Sequence, residues 1–285
     1  MRKRPGAADT RGRGAKRLAR RVLELYVRHH VPRTAAALSY FLMLSVFPAL
    51  LCLSYMLGGL FPEAAQFRAA LSGLLPRGAA DTLTAFLRGI PHQMGQGMLL
   101  AALAGMLTSC SAAYRTVDGF MGELRSAHRF DGPFRFVFSF CFSVFFLTAM
   151  YVAALLILTG KWFLELADRR LLFMNISEAW VWGRFVLLFL LLFVVVALIY
   201  RLTAPRGRHT RQLPGALAAA SVLVAVSLFF SAFIDRSARY PLLYGSLAGV
   251  IVMMVWLYVS GAVLLTGNVL NVALEKEARS ENGER

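Results

Sequence analysis

Five histidines, three cysteines and fifteen acidic residues are the groups in this 285-residue chain that could bind a metal or move a proton. Their placement decides which chemistry is open to it. His29, His30, His92, His128 and His209 all stand outside the long apolar blocks described below. His29 and His30 are adjacent, so on a helix they point in different directions, and all five read as surface or interfacial residues rather than ligands. Cys52, Cys110 and Cys141 fall inside apolar blocks with no paired spacing, as small core or lipid-facing residues do. No acidic residue lies inside any apolar block, whereas proton-coupled carriers keep a carboxylate at depth. We expect no catalytic centre, no metal site and no cofactor.

Charged and polar groups near the blocks remain. Asp118 follows Arg115 by three residues and so shares a helical face with it, either as an ion pair of about a few tenths of a kcal/mol or as an inner gate or headgroup contact. Arg184 can snorkel to an interface. An uncharged polar group left unsatisfied in hydrocarbon costs several kcal/mol. Ser39, Tyr40, Ser45, Thr108, Ser109, Ser111, Tyr114, Tyr258, Ser260, Thr266, Asn268 and Asn271 are therefore expected to turn toward other helices. Most would be interhelical glue. If they converge, Ser39, Tyr40, Ser109, Ser111, Tyr114, Arg115, Asp118, Tyr258, Asn268 and Asn271 would form a polar cavity or gate for a polar or amphiphilic ligand. Gly245 and Gly249 stand one helical turn apart, a spacing for close packing within a bundle, with a homo-oligomer contact as the alternative.

The elements that position these residues are blocks of about 20 apolar residues, the length a helix needs to cross ~30 Å of hydrocarbon. The composition agrees: 58% of the residues are hydrophobic and only 16% charged, too little polar surface for a water-soluble globule. Six blocks run over about residues 35–60, 97–113, 134–158, 181–200, 213–233 and 244–270. Pro48 kinks the first. The predicted fold is an all-α integral membrane protein with six transmembrane helices, occupying residues 34–275, plus amphipathic interfacial helices. Residues 1–14 read as a disordered basic tail and 276–285 as a charged cytoplasmic tail. Between them, Leu18, Val22, Leu25 and Tyr26 recur at helical spacing among arginines, which predicts an amphipathic helix over 15–33 lying in the membrane interface. Short interfacial helices are expected after Pro62 and around Leu83, Phe86, Leu87 and Ile90. Val117, Phe120, Met121 and Leu124 predict that the second span continues as a cytoplasmic amphipathic helix.

The net charge of +16 raises nucleic acid as a partner, but eleven of the 31 Lys and Arg precede residue 35, beside the first block. Cations there suit anchoring to an anionic leaflet, at about 1 kcal/mol each, so membrane lipids are the expected partners and nucleic acid is not. Placing the amino terminus inside puts 22 Lys and Arg on the cytoplasmic side and nine on the other. The excess of cations belongs inside, so both termini are expected in the cytoplasm. Trp162, Trp180 and Trp182 would then form an outer aromatic belt.

Several motifs resemble the YihY/BrkB family of bacterial inner-membrane proteins. In the carboxyl half these are Pro214-Gly215-Ala216, Tyr244-Gly245-Ser246-Leu247, Trp256-Leu257-Tyr258, and Gly267 with Asn271; in the amino half, Ala37, Tyr40, Phe47 and Pro48. The resemblance covers roughly residues 15–275 and implies a six-span protein of the bacterial inner membrane. Its members' molecular activity is poorly defined, and an older family label, ribonuclease BN, is regarded as a misassignment. Where the family often has Gly-Ala-Glu-x-Asn, this chain has Gly267-Asn268-Val269-Leu270-Asn271, so a family mechanism that used the glutamate would not operate here.

The expectation for function is a membrane bundle that binds and moves, or presents, an amphiphilic envelope component such as a lipid. A non-transporting scaffold for envelope assembly is the second reading. A membrane-bound nuclease is the third, and the missing carboxylate cluster argues against it.

Overall fold

A computed structural model describes residues 7–57, 96–126, 133–170, 176–204, 212–236 and 247–283. The short helices expected between Pro62 and Ile90, and His92, His128, His209 and Gly245, lie outside the described residues. So do the side chains of Trp162, Trp180, Trp182 and Arg184.

The described residues are all helical apart from short turns, in seven helices: α1 Ala7–Arg28, α2 Val31–Leu57, α3 Gln96–Arg125, α4 Pro133–Arg170, α5 Ile176–Thr203, α6 Leu213–Arg236 and α7 Leu247–Gly283. Four carry described segments long and apolar enough to cross a membrane: Val31–Cys52, Gln96–Arg125, Leu213–Phe233 and Gly249–Ala278. In α4 and α5 the described apolar stretches are Pro133–Ala149 and Phe189–Thr203. The protein is thus an all-α membrane protein.

Each of α2 to α7 packs on its neighbour in sequence, and α7 closes on α2, so the six form a ring. Successive helices run antiparallel. The carboxyl end of α3 meets the amino end of α4 where Gly119 faces Arg135, and the amino end of α6 meets the carboxyl half of α7 where Gly215 faces Gly267. The main buried cluster sits at one end of the ring, where Val31, Ala35, Leu38, Val117, Phe120, Met121, Tyr200, Ala216, Leu265 and Val269 come together. Small residues permit the close crossings: Gly105 packs on Pro48, and Gly261 on Ala35 and Leu38. Apolar side chains left outside, such as Phe134, Val144, Val186, Leu190, Leu228 and Phe229, suit a lipid solvent.

The structure departs from or adds to the sequence reading at three points. The stretch 1–14, expected disordered throughout, is helical from Ala7; it extends the amphipathic helix that follows it, adding a residue at a time to a nucleus already paid for. The stripe Leu18, Val22, Leu25 and Tyr26 is taken up by protein, since α1 packs on α7 and these residues join the main cluster, leaving Leu23 and Val27 exposed. The third block continues as one helix of 38 residues to Arg170, well past residue 158. The turn between α1 and α2 passes through His30 at φ 50°, a left-handed conformation uncommon for a non-glycine residue.

Candidate functional site

α3 is 30 residues long, and the 19 steps from Gln96 to Arg115 already rise about 28 Å, close to the thickness of hydrocarbon. Its last turns, from Ser111 to Arg125, therefore bring polar groups to the end of the ring that holds the buried cluster. Two polar assemblies are built on that segment.

The first lies between α3 and α4. The hydroxyls of Ser111 and Ser139, both fully buried, are 2.6 Å apart, and Arg115 donates from Nη1 to Ser111 at 2.6 Å and to Ser139 at 3.4 Å. The Arg115 guanidinium also lies over the Phe136 ring, 4.9 Å from its centroid, in cation–π geometry. Asp118 does not pair with Arg115. Arg135, in the first turn of α4, reaches its carboxylate with Nε at 2.7 Å and donates from Nη2 to the Arg115 carbonyl at 3.3 Å. Asp118 is only 4% exposed and is enclosed against that partner. Beneath the arginines, Tyr114 packs on Phe142 with centroids 4.6 Å apart and on Phe138.

The second joins α3 to α7 and α6. Arg125 spans Glu275 with both Nη atoms, at 2.9 to 3.2 Å, and donates to Asn268 Oδ1 at 3.3 Å, while its buried Nε has no hydrogen-bond partner. The Asn268 amide also contacts the Met121 sulfur. One turn on, Asn271 accepts from the Gly215 backbone N–H at 2.7 Å and donates to the Gln212 carbonyl at 3.0 Å. Gly215 is in the first turn of α6, where backbone N–H groups lack intrahelical acceptors, so Asn271 caps α6 from another helix. Tyr200 donates to the Leu264 carbonyl at 2.5 Å.

The ten residues expected to form one cavity or gate are thus divided. Ser111, Tyr114, Arg115 and Asp118 gather at α3–α4, and Asn268 and Asn271 at α7. Tyr40 is 53% exposed and faces away from the bundle, because the 100° step of the helix turns it off the buried Ala35, Leu38 and Ser39 stripe. Ser39 bonds the Ala36 carbonyl of its own helix at 2.8 Å, and Ser45 the Leu42 carbonyl at 2.7 Å, so neither is glue between helices. Thr108 and Thr266 likewise bond back within their helices. Ser109 and Tyr258 are half-buried, and Tyr258 packs on the edge of the main cluster. Pro48 meets Gly105 of α3, and Gly249 is half-buried in the first turn of α7.

Sequence reading missed Arg125, Arg135, Ser139, Tyr200 and Glu275. Arg125 and Glu275 lie beyond the apolar blocks and look there like loop charges. The signal that could have found them was the extension of the second and last blocks as continuous helices, which carries both charges inward to the same bundle end.

The chain is 27% identical over 267 residues to the ribonuclease-like protein YfkH of Bacillus subtilis (strain 168), a match covering 89% of this chain and 94% of that one. It is 40% identical over 67 residues to a UPF0761 membrane protein of Aromatoleum aromaticum, covering 24% of this chain and 16% of that one. A UPF0761 membrane protein of Idiomarina loihiensis is 35% identical over 85 residues, 30% of each chain. No solved structure matches. The family described as Virulence factor BrkB matches residues 22–285, nearly all of the helical bundle, and the chain belongs to that family of membrane proteins.

Proposed function

We propose that this is a six-span protein of the bacterial inner membrane, with both termini in the cytoplasm, that binds and moves or presents an amphiphilic envelope component such as a lipid. The observation that carries the reading is the gathering of Arg115, Asp118, Arg125, Arg135, Asn268 and Glu275 at the end of the helical ring that holds the main buried cluster. That end is also where basic α1 packs, and cations concentrate on the cytoplasmic side of membrane proteins. A polar mouth bordered by exposed apolar helix faces suits a ligand with a charged head and a hydrocarbon tail.

The test is a reconstituted-liposome assay with purified protein and fluorescent lipids of several classes. Protein-dependent translocation of one class is expected, and a flat response for every class tried would end the transport reading. Crosslinking that recovers a stable protein partner at α1 would instead favour a scaffold for envelope assembly. The name of the Bacillus relative invites a nuclease reading. Here, however, Asp118 and Glu275 are each held by an arginine, and among the described residues no three His, Cys, Asp or Glu side chains gather as metal ligands.

A further inference from the structure

The α3–α4 assembly holds two guanidinium groups, Arg115 and Arg135, and one carboxylate, Asp118. Arg135 takes the carboxylate, and among the described residues Arg115 has no carboxylate within ion-pairing distance. Among the described residues the site therefore holds one positive charge more than its carboxylate balances. Such a charge is expensive in that position unless an anion accompanies it.

The hydrogen-bond inventory agrees. Arg115 uses only Nη1 on protein acceptors, Ser111 and Ser139, while Nε and Nη2 have none. Neither of those nitrogens is among the buried unpartnered atoms, so both reach the surface. A guanidinium held from one side by two buried hydroxyls and from another by the Phe136 ring is fixed in orientation, with its remaining donors turned outward. Planar, paired donors match phosphate oxygens. The amino end of the 38-residue α4 adds its positive dipole end at the same place.

What surrounds these donors is apolar. Phe134, Phe136, Val137 and Phe140, on the first two turns of α4, are exposed, and Val144 continues the row. A free phosphate would gain nothing from them, whereas an acyl chain would lie along them. We infer that the α3–α4 mouth is a binding site for an anionic phospholipid, its phosphate on Arg115 Nε and Nη2 and its acyl chain along Phe136 and Phe140. Asp118 and Arg135 position the site by tying the two helices together, and Ser111 and Ser139 hold Arg115. The inference rests on the proposed lipid-facing placement of this mouth but not on transport.

The test is native mass spectrometry of the full chain in detergent, titrated with phosphatidylglycerol, phosphatidylcholine or inorganic phosphate. The unsubstituted chain should retain phosphatidylglycerol about tenfold over phosphatidylcholine, whose phosphate offers the same oxygens but whose choline cation offsets the charge that would pair with Arg115. Arg115→Gln should bring that ratio close to one, and Arg115→Lys, which keeps the charge and loses the paired donors, should fall between. Arg20→Gln, which removes an exposed charge from α1, should leave the ratio unchanged. A ratio near one in the unsubstituted chain would overturn the inference, as would a ratio that survives both Arg115 substitutions. Displacement of the lipid by millimolar inorganic phosphate would make it a free-anion site and overturn it too. Loss of translocation in liposomes with the lipid preference intact would remove the transport reading and leave this site standing.

Discussion

Gly215 of α6 and Gly267 of α7 meet backbone to backbone, with no side chain between them. A Cβ on Gly215 would overlap the Gly267 carbonyl oxygen and fall 2.6 Å from the Asn271 side chain; one on Gly267 would strike the Tyr200 hydroxyl and lie 2.8 Å from Ala219. Each Cβ would meet a backbone oxygen of the facing glycine, and the side chains in the way are the Ala219 methyl, which has no rotamer to change, and the Tyr200 and Asn271 groups, which are held by hydrogen bonds. The crossing also sets Asn271 against α6 and Tyr200 against α7, so one contact between glycines positions two hydrogen bonds.

Gly267→Ala and Gly215→Ala should therefore each destabilise the bundle by about 3 kcal/mol or more, at the upper end of overpacking costs. Thermal melts in detergent, followed by monodispersity on a sizing column, would measure this. Gly97→Ala is the control: a Cβ there meets nothing within 4 Å, and the melt should stay level or rise slightly. If Gly267→Ala melts with the unsubstituted chain, α6 and α7 do not approach this closely.

The Arg125–Glu275 pair leads to a second expectation. The two side chains are only 4% and 14% exposed, and Arg125 is bidentate on the carboxylate. Removing one partner strands the other charge away from water, which costs about 3 kcal/mol or more. Glu275→Gln and Arg125→Met should each lower stability by roughly that much. The double substitution should cost clearly less than the sum of the two, because it strands no charge. Additive losses in the melts would show that the two side chains do not interact.

Much of this architecture was legible in the sequence because lipid imposes long apolar blocks, and a block announces its own helix. The continuation of α3 past residue 113 was visible in Val117, Phe120, Met121 and Leu124, which do line the buried cluster. The pairing inside the site was not legible. Arg115 and Asp118 share a face of one helix, yet Asp118 is taken by Arg135 from the next helix, and nothing within α3 encodes that competition. Tyr40 was misplaced for a related reason: the apolar blocks of α2 are too uniform for polarity to show which face turns inward. Gly215, Gly267 and Asn271 stood out as motif residues, but their mutual contact depends on how α6 and α7 cross.

A pH response follows from His29, in the turn after α1 and outside the apolar span. Partial burial, and then the charge of Arg28, push its pKa below the ordinary 6.5; Lys276 and His30 act in the same direction and Glu123 against it. With α1 docked the imidazole resists protonation, whereas with α1 released it titrates normally, so the released state binds the proton first as pH falls. The docking contribution is whole above the ordinary histidine range and declines as pH drops through 6.5 and below. Protection of the α1 amides, corrected for the intrinsic pH dependence of exchange, should fall between about pH 7 and pH 5, and His29→Asn should flatten that dependence. The effect will be modest because the ring is only partly buried, and equal pH slopes in the two proteins would remove His29 as the cause.

Polar residues in these helices divide by where their hydrogen bonds go, and the division predicts which of them hold the bundle together. Ser45 bonds the Leu42 carbonyl within its own turn, an acceptor that its own helix already uses, so Ser45→Ala leaves no group unsatisfied. Its cost should stay within about 0.5 kcal/mol, as for substitutions that break no special feature. Asn271 is different, since its Oδ1 is the acceptor for the Gly215 N–H in the first turn of α6 and its Nδ2 donates to the Gln212 carbonyl. The Gly215 N–H is buried and depends on Asn271, whereas the Gln212 carbonyl is part-buried and also accepts from the Ala216 N–H at 3.1 Å. Asn271→Ala should therefore cost about 1–3 kcal/mol, the penalty for leaving a buried donor unsatisfied. Asn271→Asp separates capping from simple shape. It keeps an acceptor for Gly215 but brings a second acceptor, and a charge when ionised, toward the Gln212 carbonyl, so it should also destabilise, and more at neutral pH than in acid, where the protonated acid can donate. Equal losses for Asn271→Asp at both pH values would mean that the contact is one of packing alone.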